Sequence, residues 1–336
     1  MSYIINLYSL ISGFLTFIIK KKNSEESFQA FVKLHCFTNG VSSYFISLLH
    51  NFLSFFLNNP KKEKSLYDQN NLIKDQNVKK IVDTIKKDGY FRFENILDEG
   101  TCNNIIKYID AINGFANRDK NLNVKLNDIS PEFTFVNFHE NDLLKNKDIQ
   151  KIVMNDIFLK VCRKYFNTFP VITNVGIAVS YPNDEPKTEY AQLYHFDLDR
   201  IKWLKFFIYL TDVNLENGPH SYIEGTHKIL SKPYEFIKRG YVRISDKEFF
   251  SKIDKKKERI ITGKKGTILV GDTSAFHKGL NPVNGRRILL QVEYSNCLFG
   301  AKLDEVNLKR EDFIDTEKNY RNIEKSKLFS RYNLVS

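Results

Sequence analysis

Cysteine is scarce in this chain, with four in 336 residues. Cys36, Cys102, Cys162 and Cys297 lie far apart and form no CxxC pair. That argues against a cysteine-held zinc ion and a disulfide framework, and favours a reducing, cytoplasmic setting. Proline and glycine are also few, at 8 and 15. With no internal repeat and no long low-complexity tract, the chain is neither collagen-like nor mainly disordered. Charge is missing from one stretch altogether. No charged side chain occurs from Met1 to Ile19, and then Lys20, Lys21 and Lys22 follow. As a helix this stretch spans ~28 Å, just short of a ~30 Å hydrocarbon core. It has neither a basic leading region nor a small-residue cleavage site, so it does not read as a secretory signal. Asn6, Ser9, Ser12, Gly13 and Thr16 recur every three or four residues. This thin polar face predicts an amphipathic helix packed on protein or a partner, with peripheral membrane contact through residues 1–58 as the alternative.

Aromatic residues are abundant. The 28 Phe and 17 Tyr, within a hydrophobic fraction of 42%, can fill a large core. Basic residues outnumber acidic ones, 51 to 40, for a net charge of +11. Such a surplus invites a nucleic-acid reading, but it is concentrated. The segment from Lys228 to Lys265 holds 13 basic and 5 acidic residues. No basic stripe interleaved with aromatics accompanies it, so no nucleic acid is expected as partner. A basic connection of this kind suits an anionic small molecule, or is simply a solvated loop.

The chain divides into three parts. Residues 1–70 form an apolar helical extension. On Val41 to Leu57, Phe45, Leu48, Leu49 and Phe52 share one side and Ser47, His50, Asn51 and Ser54 the other. A linker is expected from Asn58 to Ser65 and a boundary near residue 70. Residues 71–305 form the main domain, with its core over 170–300, and 306–336 a tail. Helices are predicted over Val78 to Lys87, stopped at Asp88-Gly89, from Asp98 to Ile112, and around Ile149 to Phe166. Strands are predicted at Tyr90 to Phe93, Val171 to Tyr181, Lys202 to Leu210, Thr267 to Val270 and Arg286 to Tyr294. Helices first and strands later imply an α+β fold, mainly β in its core, as an antiparallel barrel or sandwich.

The sharpest local feature is His195-Phe196-Asp197. On a strand, the imidazole and carboxylate point to one face ~6.6 Å apart along the chain. Alone, such a tripeptide is more often a hydrogen-bonded surface pair. A second histidine, His277, follows a predicted strand and the turn Gly271-Asp272. Two histidines and a carboxylate make the facial triad of non-haem Fe(II) oxygenases, which leaves coordination positions open. About ten residues on stands an arginine able to grip a carboxylate bidentately. Arg286 and Arg287 compete for that role, since strand alternation turns only one inward. Arg286 is preferred because it sends Ile288, Leu290 and Val292 inward as well. Asp199 is held as a reserve for Asp197. Lys205 shares its side of a strand with Trp203, Phe207 and Tyr209. It is a second candidate for a carboxylate contact if that side faces the cavity, and otherwise a surface lysine.

These residues carry a resemblance. His195-Phe196-Asp197, the strand Leu204 to Val213, the turn Glu216-Asn217-Gly218-Pro219, Gly225-Thr226-His227-Lys228, Lys265-Gly266-Thr267, Gly271-Asp272, His277 and Arg286 are similar, in that order, to the phytanoyl-CoA dioxygenase family of Fe(II)/2-oxoglutarate oxygenases. Ile81 to Glu94 looks like the family's usual start, so the likeness covers about residues 75–300. It implies a double-stranded β-helix, a jelly-roll or cupin-like barrel with flanking N-terminal helices. It also implies Fe(II) on His195, Asp197 and His277, 2-oxoglutarate on Arg286, and O₂ as oxidant, with ascorbate admitted as an auxiliary reductant. The implied reaction hydroxylates an unactivated C–H of a small substrate and yields succinate and CO₂. The carboxylate of Asp197 speaks against halogenation. The rival reading is a non-catalytic ligand-binding jelly roll. One departure stands out: Gly279 occupies a position where many members carry a hydroxyl. His227 is expected to be structural, and His35, His50, His139 and His220 surface or capping residues. Asp272 is expected to cap backbone amides.

Overall fold

The computed structural model describes residues 2–57, 77–93, 96–130, 133–182, 191–240, 242–312 and 327–335. The linker expected at 58–65 and the boundary near residue 70 lie outside these. Three helices come first: α1 (Ser2–Lys20), α2 (Glu25–Thr38) and α3 (Val41–Leu57). After them come α4 (Val78–Asp88), β1 (Tyr90–Phe93), α5 (Glu99–Ala111), β2 (Gly114–Ala116), β3 (Asn123–Val124) and β4 (Phe135–Asn137). Next are α6 (Glu140–Leu143), α7 (Lys147–Val153), α8 (Asp156–Phe166), β5 (Val171–Ser180), β6 (Trp203–Tyr209) and β7 (His220–Ile223). The remainder is α9 (Tyr234–Ile237), α10 (Asp246–Phe249), β8 (Glu258–Ile261), β9 (Ile268–Gly271), β10 (His277–Gly279), β11 (Arg287–Ser295), β12 (Asn307–Lys309) and β13 (Asn333–Val335).

Local chemistry sets the helix ends. Ser24, Asn77 and Asp98 each accept a backbone N–H at the start of a helix, relieving donors that would otherwise lack partners. Gly89 ends α4 at φ 99°, a conformation that costs glycine nothing. The stretch expected as one helix around Ile149 to Phe166 is two. Asn155 interrupts it, and its side chain caps the second by accepting from Ile157 N at 3.0 Å.

An eight-stranded sheet in the order β1-β9-β6-β11-β5-β4-β2-β3 packs against a three-stranded sheet, β10-β7-β8. Every pairing in these two sheets is antiparallel. This is the jelly-roll barrel, with helices covering the outer face of the large sheet. The division of side chains on β6 and β11 explains the architecture. Leu204, Phe206 and Ile208 of β6 and Ile288, Leu290 and Val292 of β11 join the largest apolar cluster, with Ile81, Ile105, Phe158 and Phe166 from the helices. Burying each such side chain is worth roughly 1.5–3 kcal/mol. The alternate residues face the barrel lumen and pair across the strands: Lys205 with Glu293, Phe207 with Gln291, Tyr209 with Leu289.

The α1–α3 layer attaches to the barrel at Phe299. Phe14, Phe17 and Phe31 place their rings 5.5, 5.7 and 6.4 Å from it. The residues read as a tail return to the domain. Arg331 pairs with buried Glu140 at 2.8 Å, and Tyr332 donates to the same carboxylate at 2.7 Å.

Candidate metal centre

His195 and His277 face each other across two short strand segments. Their backbones exchange two hydrogen bonds, at 3.1 and 2.9 Å, and their rings lie 4.3 Å apart. Asp197 is fixed two residues on by its N–H, which donates to the Thr273 carbonyl at 2.9 Å. The HxD segment is therefore stitched along the stretch that ends in His277. Residues 82 apart in sequence become immediate neighbours.

The geometry fits a divalent ion. Ligand atoms of His195, Asp197 and His277 all lie within 4.8 Å of one another. Asp197 Oδ1 is 3.7 Å from His195 Nε2, and Oδ2 is 3.7 Å from His277 Nε2. The other ring nitrogens are tied back: His195 Nδ1 donates to Leu193 O at 2.9 Å, and His277 Nδ1 to Ala275 O at 3.0 Å. These carbonyl partners put the proton on Nδ1 and turn both Nε2 lone pairs toward Asp197, as metal-ligating histidines require. Burial lowers the pKa of both imidazoles, so each is neutral. Burial alone would raise the Asp197 carboxyl. The Lys205 ammonium, 2.8 Å away, outweighs it and holds the group well below the usual carboxylate range.

Lys205 faces the lumen and is 8% exposed, so it is not a surface lysine. Its Nζ lies 2.8 Å from Asp197, 3.2 Å from Asp199 and 3.3 Å from Glu293. Three carboxylates already surround it, which corrects the expectation of a co-substrate contact: Lys205 holds Asp197 in place. Asp199 is bound to the same ammonium and lies outside the ligand cluster.

The arginine assignment is corrected as well. Arg286 is exposed, whereas Arg287 is buried and lines the lumen with the triad. The aliphatic side of β11 faces the helix layer, not the lumen, so the parity argument selects the opposite residue. The Arg287 guanidinium donates to Gly218 O and, at 3.4 Å, to Ser180 Oγ, while its buried Nε has no partner. That orphan donor, in the same cavity as the triad, fits a carboxylate of a small chelating acid. Gly279 explains its departure from the family pattern. A Cβ there would come within 3.3 Å of the Arg287 Nη2, so glycine leaves room for the guanidinium.

The cavity holds about 270 Å³ and also takes in Arg118, Phe207, His220, Arg243 and Gln291. It shares Arg118, Phe135, Ala178, Leu289 and Gln291 with an adjoining cleft of about 620 Å³. His220 is buried here rather than on the surface, with Nδ1 3.1 Å from Tyr209 Oη. Its signal was the pairing of β7 with β10, which sets His220 opposite Gly279 and on the same side as His277. Arg118 and Arg243 sit in loops, where alternation gives no orientation. His35 and His50 are also buried, not surface residues. His227 binds the Lys86 carbonyl at 3.1 Å, a structural contact. Asp272 accepts from Ser274 N at 3.0 Å and from Tyr165 Oη at 2.6 Å.

Several solved structures are similar. An α-ketoglutarate-dependent epimerase, SnoN, from nogalamycin biosynthesis matches at 13% identity over 65% of this chain and 83% of its own, with a TM-score of 0.48. HygX from Streptomyces hygroscopicus, solved with nickel and 2-oxoglutarate, matches at 14% identity over 68% and 90%, with a TM-score of 0.48. The carbocyclase SnoK matches at 14% over 64% and 83%, with a TM-score of 0.44. No curated protein matches the sequence. The family model described as phytanoyl-CoA dioxygenase (PhyH) matches residues 85–287. That span carries all three clustered ligands, His195, Asp197 and His277, and reaches Arg287. The chain belongs to the phytanoyl-CoA dioxygenase family of Fe(II)- and 2-oxoglutarate-dependent oxygenases.

Proposed function

We propose that the protein hydroxylates an unactivated C–H bond of a small anionic organic substrate, with succinate and CO₂ as co-products. The observation that carries this reading is the convergence of His195, Asp197 and His277 in one cavity with the buried, partly unpartnered guanidinium of Arg287. Bound iron, 2-oxoglutarate and O₂ would supply the oxidising chemistry, and the protein supplies geometry and exclusion of water. His195 and His277 present neutral Nε2 atoms, and Lys205 keeps Asp197 ionised. Arg287 takes the far carboxylate of 2-oxoglutarate, with Ser180 and Gly218 fixing the guanidinium plane. Phe207 and Leu289 keep the lumen apolar around the reacting centre.

Arg118 and Arg243 on the wall of the same cavity support an anionic substrate, entering through the adjoining cleft beside Arg118. The basic connection contributes less than its composition suggests. Arg239, Lys252, Arg259 and Lys264 are in ion pairs with Glu248, Glu235, Glu224 and Asp212. Untargeted turnover with Fe(II), 2-oxoglutarate and O₂ tests the reading. The expected result is a product heavier by one oxygen with stoichiometric succinate. Succinate without oxygenated product would redirect the assignment to another oxidative outcome. Binding of 2-oxoglutarate with no succinate would favour the non-catalytic reading.

A further inference from the structure

A second cavity, of about 420 Å³, lies outside the barrel lumen between α2, α3 and the strands. Lys86, Lys202, Lys228 and Lys232 line it. Among the described residues none of the four forms an ion pair, and Lys202 Nζ instead donates to the Tyr165 carbonyl at 3.1 Å. Lys232 is 5% exposed, with its Nζ 5.3 Å from the Phe196 ring centre. Asp272 is the one acidic lining residue, and Tyr165 and Ser274 already occupy its carboxylate. A further lining residue, His35, holds a buried Nε2 without a partner among the described residues. Asp272 offsets part of the charge on Lys202 and Lys232, and four lysines against one carboxylate leave the chamber positive, which suits an added anion.

The wall toward solvent is α3. Its protein-facing side is mixed: Ile46, Leu49 and Leu53 join the apolar cluster with Phe14 and Phe31, while Ser43, Ser47 and His50 are buried beside them and Asn51 donates to the Phe166 carbonyl at 2.9 Å. Its apolar side is outward, with Tyr44 50%, Phe45 62%, Leu48 47% and Phe52 61% exposed. Tyr44 and Leu48 also line the cavity, so the apolar face and the cationic chamber meet at their shared rim. α1 reaches α3 through its Phe14 ring, 6.3 Å from His50. Ile4, Ile5, Tyr8, Ile11, Leu15 and Ile19 of α1 are 41–76% exposed. By length and composition α1 could cross a bilayer, but Leu10, Phe14 and Phe17 are buried in the cluster with Phe31 and Phe299. That contact holds it lengthwise on the protein, as an in-plane helix is held. Lys20, Lys21 and Lys22 close its end with positive charge.

We propose that α1 and α3 rest in the plane of an anionic bilayer and that the chamber behind α3 receives the phosphate headgroup of one lipid. The apolar side chains enter the acyl boundary, and the lysines neutralise the phosphate. The proposal is independent of the substrate oxidised in the lumen.

Flotation of the full-length protein with vesicles of phosphatidylcholine, alone or mixed with phosphatidic acid, tests it. The parent protein is expected to float with the mixed vesicles and only weakly with phosphatidylcholine. Paired substitutions at exposed positions, Ile4→Asp with Tyr8→Asp or Phe45→Asp with Phe52→Asp, should abolish flotation with an unchanged melting temperature. Lys232→Met should weaken binding to mixed vesicles roughly fivefold or more and leave the weak phosphatidylcholine binding alone. Failure of the parent protein to float with either vesicle overturns the proposal. Equal binding of Lys232→Met and parent to mixed vesicles overturns the headgroup site. A parent dimer in size-exclusion chromatography that the Asp variants dissolve would give the face to a second copy and overturn the bilayer assignment.

Discussion

Lys205 in the lumen and Lys232 in the chamber behind α3 are both buried lysines, but their surroundings are opposite. In the lumen, Lys205 lies within 2.8–3.3 Å of three carboxylates. In the chamber, Lys232 is buried and, among the described residues, has no carboxylate within ion-pair distance. A buried charge with partners is a positioning device, because removing one partner strands the others. A buried charge without partners is a cost to the folded state, and it is relieved when an outside anion arrives. The contrast separates residues that hold the site's shape from residues that wait for a ligand.

The largest expected effect is at the triad. His277→Ala or Asp197→Ala should abolish succinate formation, a loss of at least ~10³-fold for a missing metal ligand. Anaerobic titration of the parent with Fe(II) and 2-oxoglutarate should give a weak visible charge-transfer band, absent from both variants. Normal succinate release by either would remove that residue from the metal. Arg287→Ala should come next. Losing charge-assisted hydrogen bonds worth ~1.5–3 kcal/mol should raise KM for 2-oxoglutarate about 10- to 100-fold. The same change at exposed Arg286 should stay within about twofold. A reversed pattern would restore the assignment made from strand parity.

Lys205→Met sharpens the meaning of a paired charge. It removes from Asp197, Asp199 and Glu293 the ammonium that all three share, and leaves Arg200 acting on Asp199 and Glu293 alone. Breaking a buried ion pair from one side costs ~3–5 kcal/mol, so the apo-protein should melt well below the parent. A divalent metal added to both should recover part of the loss, since it returns positive charge to Asp197. A variant as stable as the parent would mean that the three carboxylates are solvated.

These particulars show what the sequence makes legible. Strands β5, β6, β9 and β11 follow from alternation, and the candidate ligands His195, Asp197 and His277, chosen by residue type and family resemblance, converge in one cavity. Arg286 fails for a physical reason. In a jelly roll backed by helices, the aliphatic side of a strand faces the helices, and the lumen takes the mixed side. On β6 the same rule puts Lys205, Phe207 and Tyr209 in the lumen. On α3, Leu49 packs inward with Ile46 and Leu53 while Phe45, Leu48 and Phe52 stay outward, and pattern alone does not say that Ser47 and His50 are buried. That depends on hydrogen bonds to distant residues, such as Asn51 to Phe166. Arg118 and Arg243 reach the cavity from loops and carry no periodic signal.

The smallest expected effect belongs to the unpaired side of the comparison. Burial lowers the pKa of Lys232 from 10.5 to about 8. The folded chain therefore releases this proton before the unfolded chain does. Below pH 8 both states carry the charge, and the folded state bears the full cost of burying it. Between pH 8 and 10.5 the unfolded state binds more protons, so stability rises with pH through that window and the cost disappears. A shift of this size corresponds to roughly 3 kcal/mol, as an upper bound. Lys232→Met removes the charge at every pH. It should therefore raise the melting temperature by several degrees at pH 7 and by almost nothing near pH 10.5. Asp272 offsets part of the burial cost, and the Lys232 charge in turn acts to lower the pKa of His35, Cys36 and His227, so the variant relieves those groups as well. Phosphatidic acid vesicles should shrink the gain at pH 7, because the bound headgroup stabilises the parent and not the variant. A gain independent of pH would mean that Lys232 is hydrated in the folded protein, and the distinction between paired and waiting cations would fail at its clearest point.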